Sequence, residues 1–245
     1  MISEATKATL QQLLQRQSTY KPSAAVLDKL AGVDFTCFVG ATCMGKTTLM
    51  DGLVALDSSV YGKSRNFVTR PPRADDDLNR YYYYEYTDKG LRPILDRIAS
   101  GELLQYNINP FNLLVYGSEV NGYPHRYNLG DIFASSIDGF RQLGFGTLRV
   151  FTVVAEAETW RERFETRFSA DHPQKQARIQ EAVSSLEWSL AQNSSNHAWI
   201  FDQDGDLQNA VQRADLAIRR GTMPDANEAI HAAQGCLQEA RAILT

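Results

Sequence analysis

The strongest chemical signal in the chain is a short loop bounded by two glycines. Residues 40–48 read Gly-Ala-Thr-Cys-Met-Gly-Lys-Thr-Thr, which fits the phosphate-binding pattern Gly, four residues, Gly-Lys-Ser/Thr. The backbone N–H groups of such a loop and the positive end of the helix that follows bind nucleotide phosphates. We expect Lys46 to neutralise the β- and γ-phosphates and the Thr47 hydroxyl to ligate Mg²⁺. The predicted phosphate-binding residues are Gly40, Ala41, Thr42, Cys43, Met44, Gly45, Lys46, Thr47 and Thr48.

A pair of arginines further along the chain indicates a second phosphate site. Pro71 and Pro72 fix a stiff, extended turn that holds Arg70 and Arg73 three residues apart. Two guanidinium groups placed in this way form a fork with bidentate geometry for a phosphate.

Five tyrosines follow that turn, at positions 81, 82, 83, 84 and 86. Alternation along a strand puts Tyr82 and Tyr84 on one face and Tyr81 and Tyr83 on the other. A strand of this composition is usually half-buried sheet. The nearby arginines favour the alternative, in which one phenol also binds the phosphate.

Three later arginines lie on two predicted helices that are separated by a polar break. Arg163 and Arg167 are four residues apart and share a face of the helix at 156–168, and Arg178 is near the start of the helix at 174–192. Such a pair of helices is either a solvated hairpin or a lid that closes over polyphosphate. Spacing alone favours the hairpin.

The elements that must position these residues alternate between strands and helices, which predicts an α/β fold with a parallel sheet flanked by helices. Residues 1–32 carry two short amphipathic patterns, which predict helices packed on the edge of the domain. The strands are predicted at 33–39, 103–108, 131–136, 147–155 and 198–202. The helices are predicted at 48–56, 91–98, 140–143, 156–168, 174–192, 206–220 and 222–245.

Composition narrows the class of protein. The 245 residues are 43% apolar and carry a formal net charge of −4, which argues against a general nucleic-acid coat. No apolar run reaches membrane-spanning length, and the first residues lack the hydrophobic region of a signal peptide. The three cysteines are widely spaced and indicate neither a disulfide framework nor a zinc site. We therefore predict a cytoplasmic protein without membrane or nucleic-acid partners.

Taken together, these motifs resemble the guanylate kinase family, from about Val33 to Arg220. Residues 69–73 match the family's Thr-Arg-x-Pro-Arg, residues 116–118 match its Tyr-Gly-Ser/Thr, and the three later arginines reproduce its lid spacing without a gap. The resemblance implies a P-loop kinase domain at 33–221, with an acceptor-binding part at about 64–118 and a lid at about 161–180. Residues 1–32 and 222–245 are then additional terminal helices.

The resemblance also implies a role for each matching residue. Lys46 and the lid arginines Arg163, Arg167 and Arg178 act on the transferring phosphate. The implied ligands of the acceptor phosphate are Arg70, Arg73, Tyr82 and Tyr116. The implied contacts to the acceptor base are Asn66, Gln105, Ser118 and Asp138.

Three departures from the family pattern bear on these roles. Gln105 replaces a glutamate that reads guanine, and a neutral amide no longer demands two donors from the base. An ungapped count from Tyr116 keeps Asp138 as the second acid of the pocket, whereas alignment on Gly139 leaves no acid there. Cys43 replaces a loop glycine, so its backbone either keeps a negative φ or is strained.

The implied activity is phosphate transfer from Mg·ATP to a nucleoside monophosphate such as GMP or dGMP. A sugar-phosphate kinase of the ribose-bisphosphate phosphokinase type is the enzymatic alternative. A non-catalytic guanylate kinase-like module that binds proteins is a further alternative. Lys46, Thr47 and the lid arginines argue against it, because such modules typically lose the chemistry of the loop.

Overall fold

The computed structural model describes residues 2–73, 76, 78–192, 197–202, 206–222 and 224–244, and only the backbone of Asn79. The helices are α1 (Glu4–Arg16), α2 (Ala24–Leu30), α3 (Lys46–Leu56), α4 (Asp88–Ser100), α5 (Ile137–Gln142), α6 (Ala157–Arg167), α7 (Lys175–Leu190), α8 (Leu207–Arg220) and α9 (Asn227–Leu244). The strands are β1 (Asp34–Val39), β2 (Tyr61–Lys63), β3 (Asn66–Val68), β4 (Tyr81–Tyr83), β5 (Gln105–Ile108), β6 (Val115–Ser118), β7 (Tyr127–Asp131), β8 (Thr147–Ala155) and β9 (His197–Asp202). Short 3-10 turns cover Gln17–Thr19, Leu78–Arg80, Val120–Gly122 and Ala134–Ser136. No helix in the described ranges is long and apolar enough to cross a membrane.

The chain divides into two compact units. The small unit comprises Met1–Val33, Lys63–Pro124 and Leu143–Gly146, and the large unit comprises Asp34–Gly62, His125–Gln142 and Thr147–Thr245. The N-terminal helices, predicted as a separate extension, therefore fall in the same unit as the predicted acceptor-binding strands. Helix α9 belongs to the large unit.

The large unit is built on a five-stranded sheet in the order β2-β7-β1-β8-β9. The pairs β1–β7, β1–β8 and β8–β9 are parallel, and helices cover both faces, as predicted. Alternate residues of β8 supply the two cores: Phe151 and Val153 pack with α3 and α8, whereas Val154 packs with α6, α7 and α9. Residues 150–155 of β8 are buried, and a strand covered on both faces needs a nearly continuous apolar or β-branched sequence, which is why β8 could be predicted.

Strand β7 corrects a prediction. The strand expected at 131–136 is wrong, because the sheet strand ends at Asp131 and residues 134–136 form a 3-10 turn. Its polar Asn128 is fully buried, and the side-chain amide donates to the carbonyls of Asp34 and His125. The sequence of β7 lacks the apolar character of a central strand. The strand is stabilised instead by its pairing with β1 and by these two hydrogen bonds.

The small unit is built on a four-stranded sheet in the order β4-β3-β6-β5. Strands β3 and β4 are parallel, and β6 runs antiparallel to both β3 and β5. One face packs on α1 and α4, where Phe67 and Val115 meet Leu10, Leu91 and Ile94. This face is the core of the unit, so the opposite face is the one that can present polar side chains.

The N-terminal segment is bonded directly to this small sheet. The Tyr20 hydroxyl donates to the Leu103 carbonyl at 2.9 Å, and the Tyr106 hydroxyl donates to the Leu13 carbonyl at 3.0 Å. The Ile108 N–H donates to the side chain of Gln17 at 2.7 Å. These bonds make α1 and the turn after it part of the small unit's framework, in keeping with a stabilising role.

Candidate functional site

The predicted phosphate loop connects the end of β1 to the start of α3. Gly40 has φ +130°, and a Cβ there would lie 2.5 Å from the Val153 carbonyl oxygen. Gly45 has φ +87° at the N-cap of α3. Both positions therefore require glycine, and the loop leads into a helix N-terminus, as a phosphate-binding loop must.

The side chain of Lys46 lies against this loop. Its Nζ donates to the carbonyls of Gly40 at 2.7 Å and Ala41 at 2.9 Å, and the side chain is 11% exposed. The Asp131 carboxylate is 3.9 Å from the same Nζ. These contacts hold the ammonium group beside the loop, where it can neutralise a phosphate.

A cavity of about 520 Å³ surrounds the loop in the large unit, which is within the range of small-molecule sites. Its walls combine the loop with cationic and acidic side chains from three other elements. The lining residues are Thr42, Cys43, Met44, Gly45, Lys46, Thr47, Thr48, Leu49, Asp131, Val153, Arg163, Arg167, Asp202, Leu207 and Ala210. The structure thus brings two of the three predicted lid arginines to the predicted phosphate loop.

Asp131 is a candidate functional residue that the sequence analysis missed. It is the last residue of β7, directly beside β1, so its carboxylate reaches the edge of the sheet from which the loop emerges. In the sequence, Asp131 could have been recognised as an acid at the carboxyl end of the strand that neighbours β1. That recognition requires the bounds of β7 to be predicted correctly.

The loop region fits the implied Mg²⁺. Thr47 and Asp131 line the same cavity, and their side chains carry oxygen atoms, the ligands that Mg²⁺ prefers. In the part of the chain that the structure describes, no group of three or more histidine, cysteine or acidic residues could hold a metal ion. A site with so few protein ligands suits a magnesium ion that also binds substrate phosphates and water.

The three predicted lid arginines have different surroundings. Both terminal nitrogens of Arg163 lie 3.0 Å from Oδ2 of Asp202, the residue that ends β9. The other oxygen of Asp202 is buried and has no hydrogen-bond partner among the described residues. Arg167 lines the cavity, whereas Arg178 is on α7 near Glu181.

Glu181 brings a further carboxyl group to this region. Burial raises the pKa of Glu181, while the charges of Lys46 and Arg178 act in the opposite direction. The same carboxyl group interacts with the backbone of Thr42 in the phosphate loop. Residues in the first two turns of α7 therefore lie close enough to the loop to interact with it electrostatically.

Cys43 replaces a loop glycine, so its backbone conformation decides whether the loop is strained. Its φ is +66°, in the left-handed region that glycine favours. The side chain is partly buried and packs against the core formed with α6, α7 and α9. The loop therefore keeps its conformation at the cost of backbone strain at this residue.

In the small unit, four of the predicted acceptor-binding residues share the polar face of the sheet. Gln105 pairs with Ser118, which pairs with Asn66 on its other side. Tyr116 is two residues before Ser118 and so points to the same face. The Ser118 hydroxyl is buried and has no hydrogen-bond partner within the part of the chain that the structure describes.

The register between β3 and β4 places Tyr82 on the opposite face of the sheet from these four residues. Tyr82 pairs with Phe67 and packs against the core of the small unit, and the Arg65 guanidinium is 3.9 Å from the centre of its ring. Tyr81 pairs with Asn66 and therefore belongs to the polar face, as does Tyr83. The resemblance implied Tyr82, but the alternation of side chains along a strand places Tyr81 and Tyr83 on the side of the other predicted acceptor-binding residues.

The predicted arginine fork also differs from expectation. Arg70 is buried, and both of its terminal nitrogens donate to Asp76, whereas the side chain of Arg73 is exposed. The Arg73 backbone N–H and the Tyr83 hydroxyl donate to the same carboxylate. Asp76 and Tyr83 are thus residues of this site that the sequence analysis missed.

Asp138, which the resemblance implied as an acid of the acceptor pocket, does not lie at the end of a strand. It lies in the first turn of α5, its side chain is 72% exposed, and it pairs with Arg141 at 2.9 Å. The strand-end acid in this stretch is Asp131 instead.

Comparisons with known proteins find similarity at the level of solved structures only. No protein-family model matches the chain, and no curated protein matches it significantly. The crystal structure of guanylate kinase from Anaplasma phagocytophilum is 15% identical over 79% of this chain and 87% of that one, with a TM-score of 0.46. An unliganded sugar kinase from Janibacter sp. is 14% identical over 79% of this chain and 99% of that one, with a TM-score of 0.37. With both TM-scores below 0.5, evidence for an activity must come from the site itself.

Proposed function

We propose that this chain is a P-loop phosphotransferase that moves the γ-phosphate of Mg·ATP to the phosphate of a (deoxy)nucleoside monophosphate such as GMP or dGMP. One observation carries the proposal: Lys46, Asp131, Arg163 and Arg167 line a single cavity around the loop at residues 40–48. Phosphoryl transfer needs positioning and charge neutralisation more than it needs a strong base, because the acceptor oxygen is already an anion.

The roles follow from these positions. The N–H groups of the loop and of the first turn of α3 bind the donor phosphates. Lys46 exchanges its loop carbonyls for phosphate oxygens, and Arg163 and Arg167 neutralise charge on the transferring group. Thr47 and Asp131 would hold Mg²⁺ directly or through water, and the bound ion would neutralise the phosphate oxygens.

The polar face of the small sheet supplies the acceptor site in this proposal. Asn66, Gln105 and Ser118 lie in one row across three strands. The Ser118 hydroxyl, which no described residue bonds, is suited to a hydrogen bond with the acceptor. Arg70, Arg73 and Tyr116 would hold the acceptor phosphate.

The row formed by Asn66, Gln105 and Ser118 carries no charge, and this also supports a second candidate function, a sugar-phosphate kinase. Amide and hydroxyl side chains both donate and accept, so they can bind sugar hydroxyls as well as base edges. A carboxylate would instead select the paired donors of guanine, and the row has Gln105 at that position. The presence of Lys46, Arg163 and Arg167 around the loop disfavours the third alternative, a protein-binding module without catalysis.

The acceptor can be identified by measuring ADP formation against a panel of nucleoside monophosphates, deoxynucleotides and sugar phosphates. We expect turnover with at least one phosphomonoester, and a Gln105→Glu variant should shift preference towards GMP. An unchanged preference in Gln105→Glu would show that this residue does not read the acceptor. Absence of both ATP binding and turnover would contradict the proposed function.

A further inference from the structure

Four hydrogen bonds in the small unit converge on one carboxylate. Arg70 binds both oxygens of Asp76, from Nη1 to Oδ2 at 2.5 Å and from Nη2 to Oδ1 at 2.7 Å. The Arg73 N–H and the Tyr83 hydroxyl each donate to Oδ2 at 2.8 Å. A guanidinium fork, a backbone N–H and a phenol form a donor set that suits a phosphate equally well.

The contact between Arg70 and Asp76 is largely removed from water. Each side chain is 9% exposed. Hydrogen bonds from Arg70, and then from the Arg73 N–H and Tyr83, hold the pKa of the Asp76 carboxyl well below its usual range. The carboxylate is therefore charged at any working pH and does not leave by protonation. Only another anion can replace it without leaving a buried guanidinium group unpaired.

A phosphomonoester meets that requirement. It offers two oxygens to the fork, as a carboxylate does, and adds a third oxygen and a higher negative charge. Arg70 is also one of the residues that the sequence resemblance assigns to the acceptor phosphate, and Tyr83 is on the face of the sheet that carries Asn66. The donors that the acceptor phosphate requires are thus already engaged by a side chain of the same unit.

We propose that Asp76 competes with the acceptor phosphate for Arg70, the Arg73 N–H and Tyr83, an inference that rests on the proposed function. Asp76 fills this anion-binding site when no acceptor is bound, and the acceptor phosphate displaces it. Tyr83, rather than Tyr82, then donates to that phosphate. A neutral nucleoside or sugar cannot make this exchange, so the arrangement admits phosphorylated acceptors and excludes their unphosphorylated counterparts.

Calorimetric titration with inorganic phosphate, and separately with GMP, tests the competition without ATP. Asp76→Asn keeps the shape and one acceptor oxygen but removes the charge, so phosphate should bind about tenfold more tightly to the variant. Asp76→Glu keeps the charge and should not bind phosphate more tightly than the wild type. Asp28→Asn, at an exposed position of the same unit, is the matched control. Thermal unfolding of each variant checks that the site remains folded.

The role of Tyr83 is tested in the Asp76→Asn background, where the competing charge is absent. Adding Tyr83→Phe should weaken phosphate binding several-fold, whereas adding Tyr82→Phe should leave it unchanged. Unchanged or weaker phosphate binding by Asp76→Asn would overturn the competition, and so would undetectable binding by every variant. ATP binding and turnover are measured in parallel, because their persistence would leave the proposed function standing while this inference fails.

Discussion

The indole N–H of Trp160 donates to the main-chain carbonyl of Thr42 at 2.9 Å. Trp160 is fully buried on α6, the helix that carries Arg163 and Arg167, and Thr42 is in the phosphate loop. Met44 from the loop and Phe164 from α6 pack into the same core. The helix with the two cavity arginines is therefore attached to the loop by a partly buried hydrogen bond and by apolar packing.

Trp160→Phe tests that attachment. The change leaves the Thr42 carbonyl without its donor and creates a cavity, so the free energy of unfolding should fall by about 1–3 kcal/mol or more. Urea unfolding measures the loss. Phe164→Leu is a useful comparison, because it reduces packing in the same core without removing a donor. A Trp160→Phe variant as stable as the wild type would show that the hydrogen bond does not stabilise the loop.

The strain at Cys43 predicts an unusual order of stability. Glycine tolerates a positive φ and alanine does not, so Cys43→Gly should be more stable than Cys43→Ala by about 1 kcal/mol. Comparing the two variants with each other largely cancels the loss of the thiol. Chemical denaturation measures the difference. If the alanine variant were equally stable or more stable, the backbone at Cys43 would not be strained.

His197 predicts how stability depends on pH. Its Nε2 lies 2.7 Å from the Thr152 hydroxyl, its ring stacks on Trp188 and Trp199, and burial, with a contribution from the charge of Arg141, lowers its pKa to about 4. Between pH 6.5 and pH 4 the unfolded chain binds more protons than the folded one. His197 should therefore reduce the free energy of unfolding by up to about 3 kcal/mol as the pH falls through that range.

The contribution of His197 is isolated by comparing variants. Urea unfolding at pH 7 and pH 4.5 should show a smaller loss of stability on acidification for His197→Gln than for the wild type. His231→Gln, at an exposed position on α9, should keep the wild-type loss. An equal loss in all three proteins would mean that His197 takes up its proton in the folded state as easily as in the unfolded chain.

Much of the fold could be predicted from local signals in the sequence. The predicted phosphate loop depends on glycines at fixed spacing, and β8 is mostly apolar or β-branched apart from Arg149, so both can be recognised within a short stretch of sequence. Helices α6 and α7, which were predicted to form a lid, begin and end within two residues of their predicted bounds. The residues within each of these elements are sufficient to predict it.

The remaining features depend on partners that are distant in the chain. Strand β7 is polar in sequence and is stabilised by pairing with β1, so Asp131 was not recognised as a strand-end acid. The choice between Tyr82 and Tyr83 depends on the register with β3, which a count along the sequence cannot supply. The N-terminal helices join the small unit through Tyr20 and Tyr106, whose bonds span more than eighty residues.

Asp131→Asn tests the proposed magnesium role of the acid at the end of β7. Loss of the carboxylate charge should lower kcat by about a hundredfold and raise the Mg²⁺ concentration needed for half-maximal rate. Turnover measured against Mg²⁺ concentration separates this effect from weaker ATP binding. Asp28→Asn is the control for a general effect of charge. An unchanged magnesium dependence in Asp131→Asn would remove Asp131 from the proposed mechanism.

Direct observation of phosphate transfer tests the central proposal. Phosphorus NMR of wild-type protein with Mg·ATP and the acceptor found in the panel should show ADP and a newly phosphorylated acceptor forming together. Lys46→Ala should slow that transfer by about a hundredfold or more, because the cavity loses the charge that neutralises the β- and γ-phosphates. Lys29→Ala, at an exposed position of the small unit, should match the wild type. Transfer by Lys46→Ala at the wild-type rate, or ADP formation without any phosphorylated acceptor, would contradict a phosphotransferase centred on this loop.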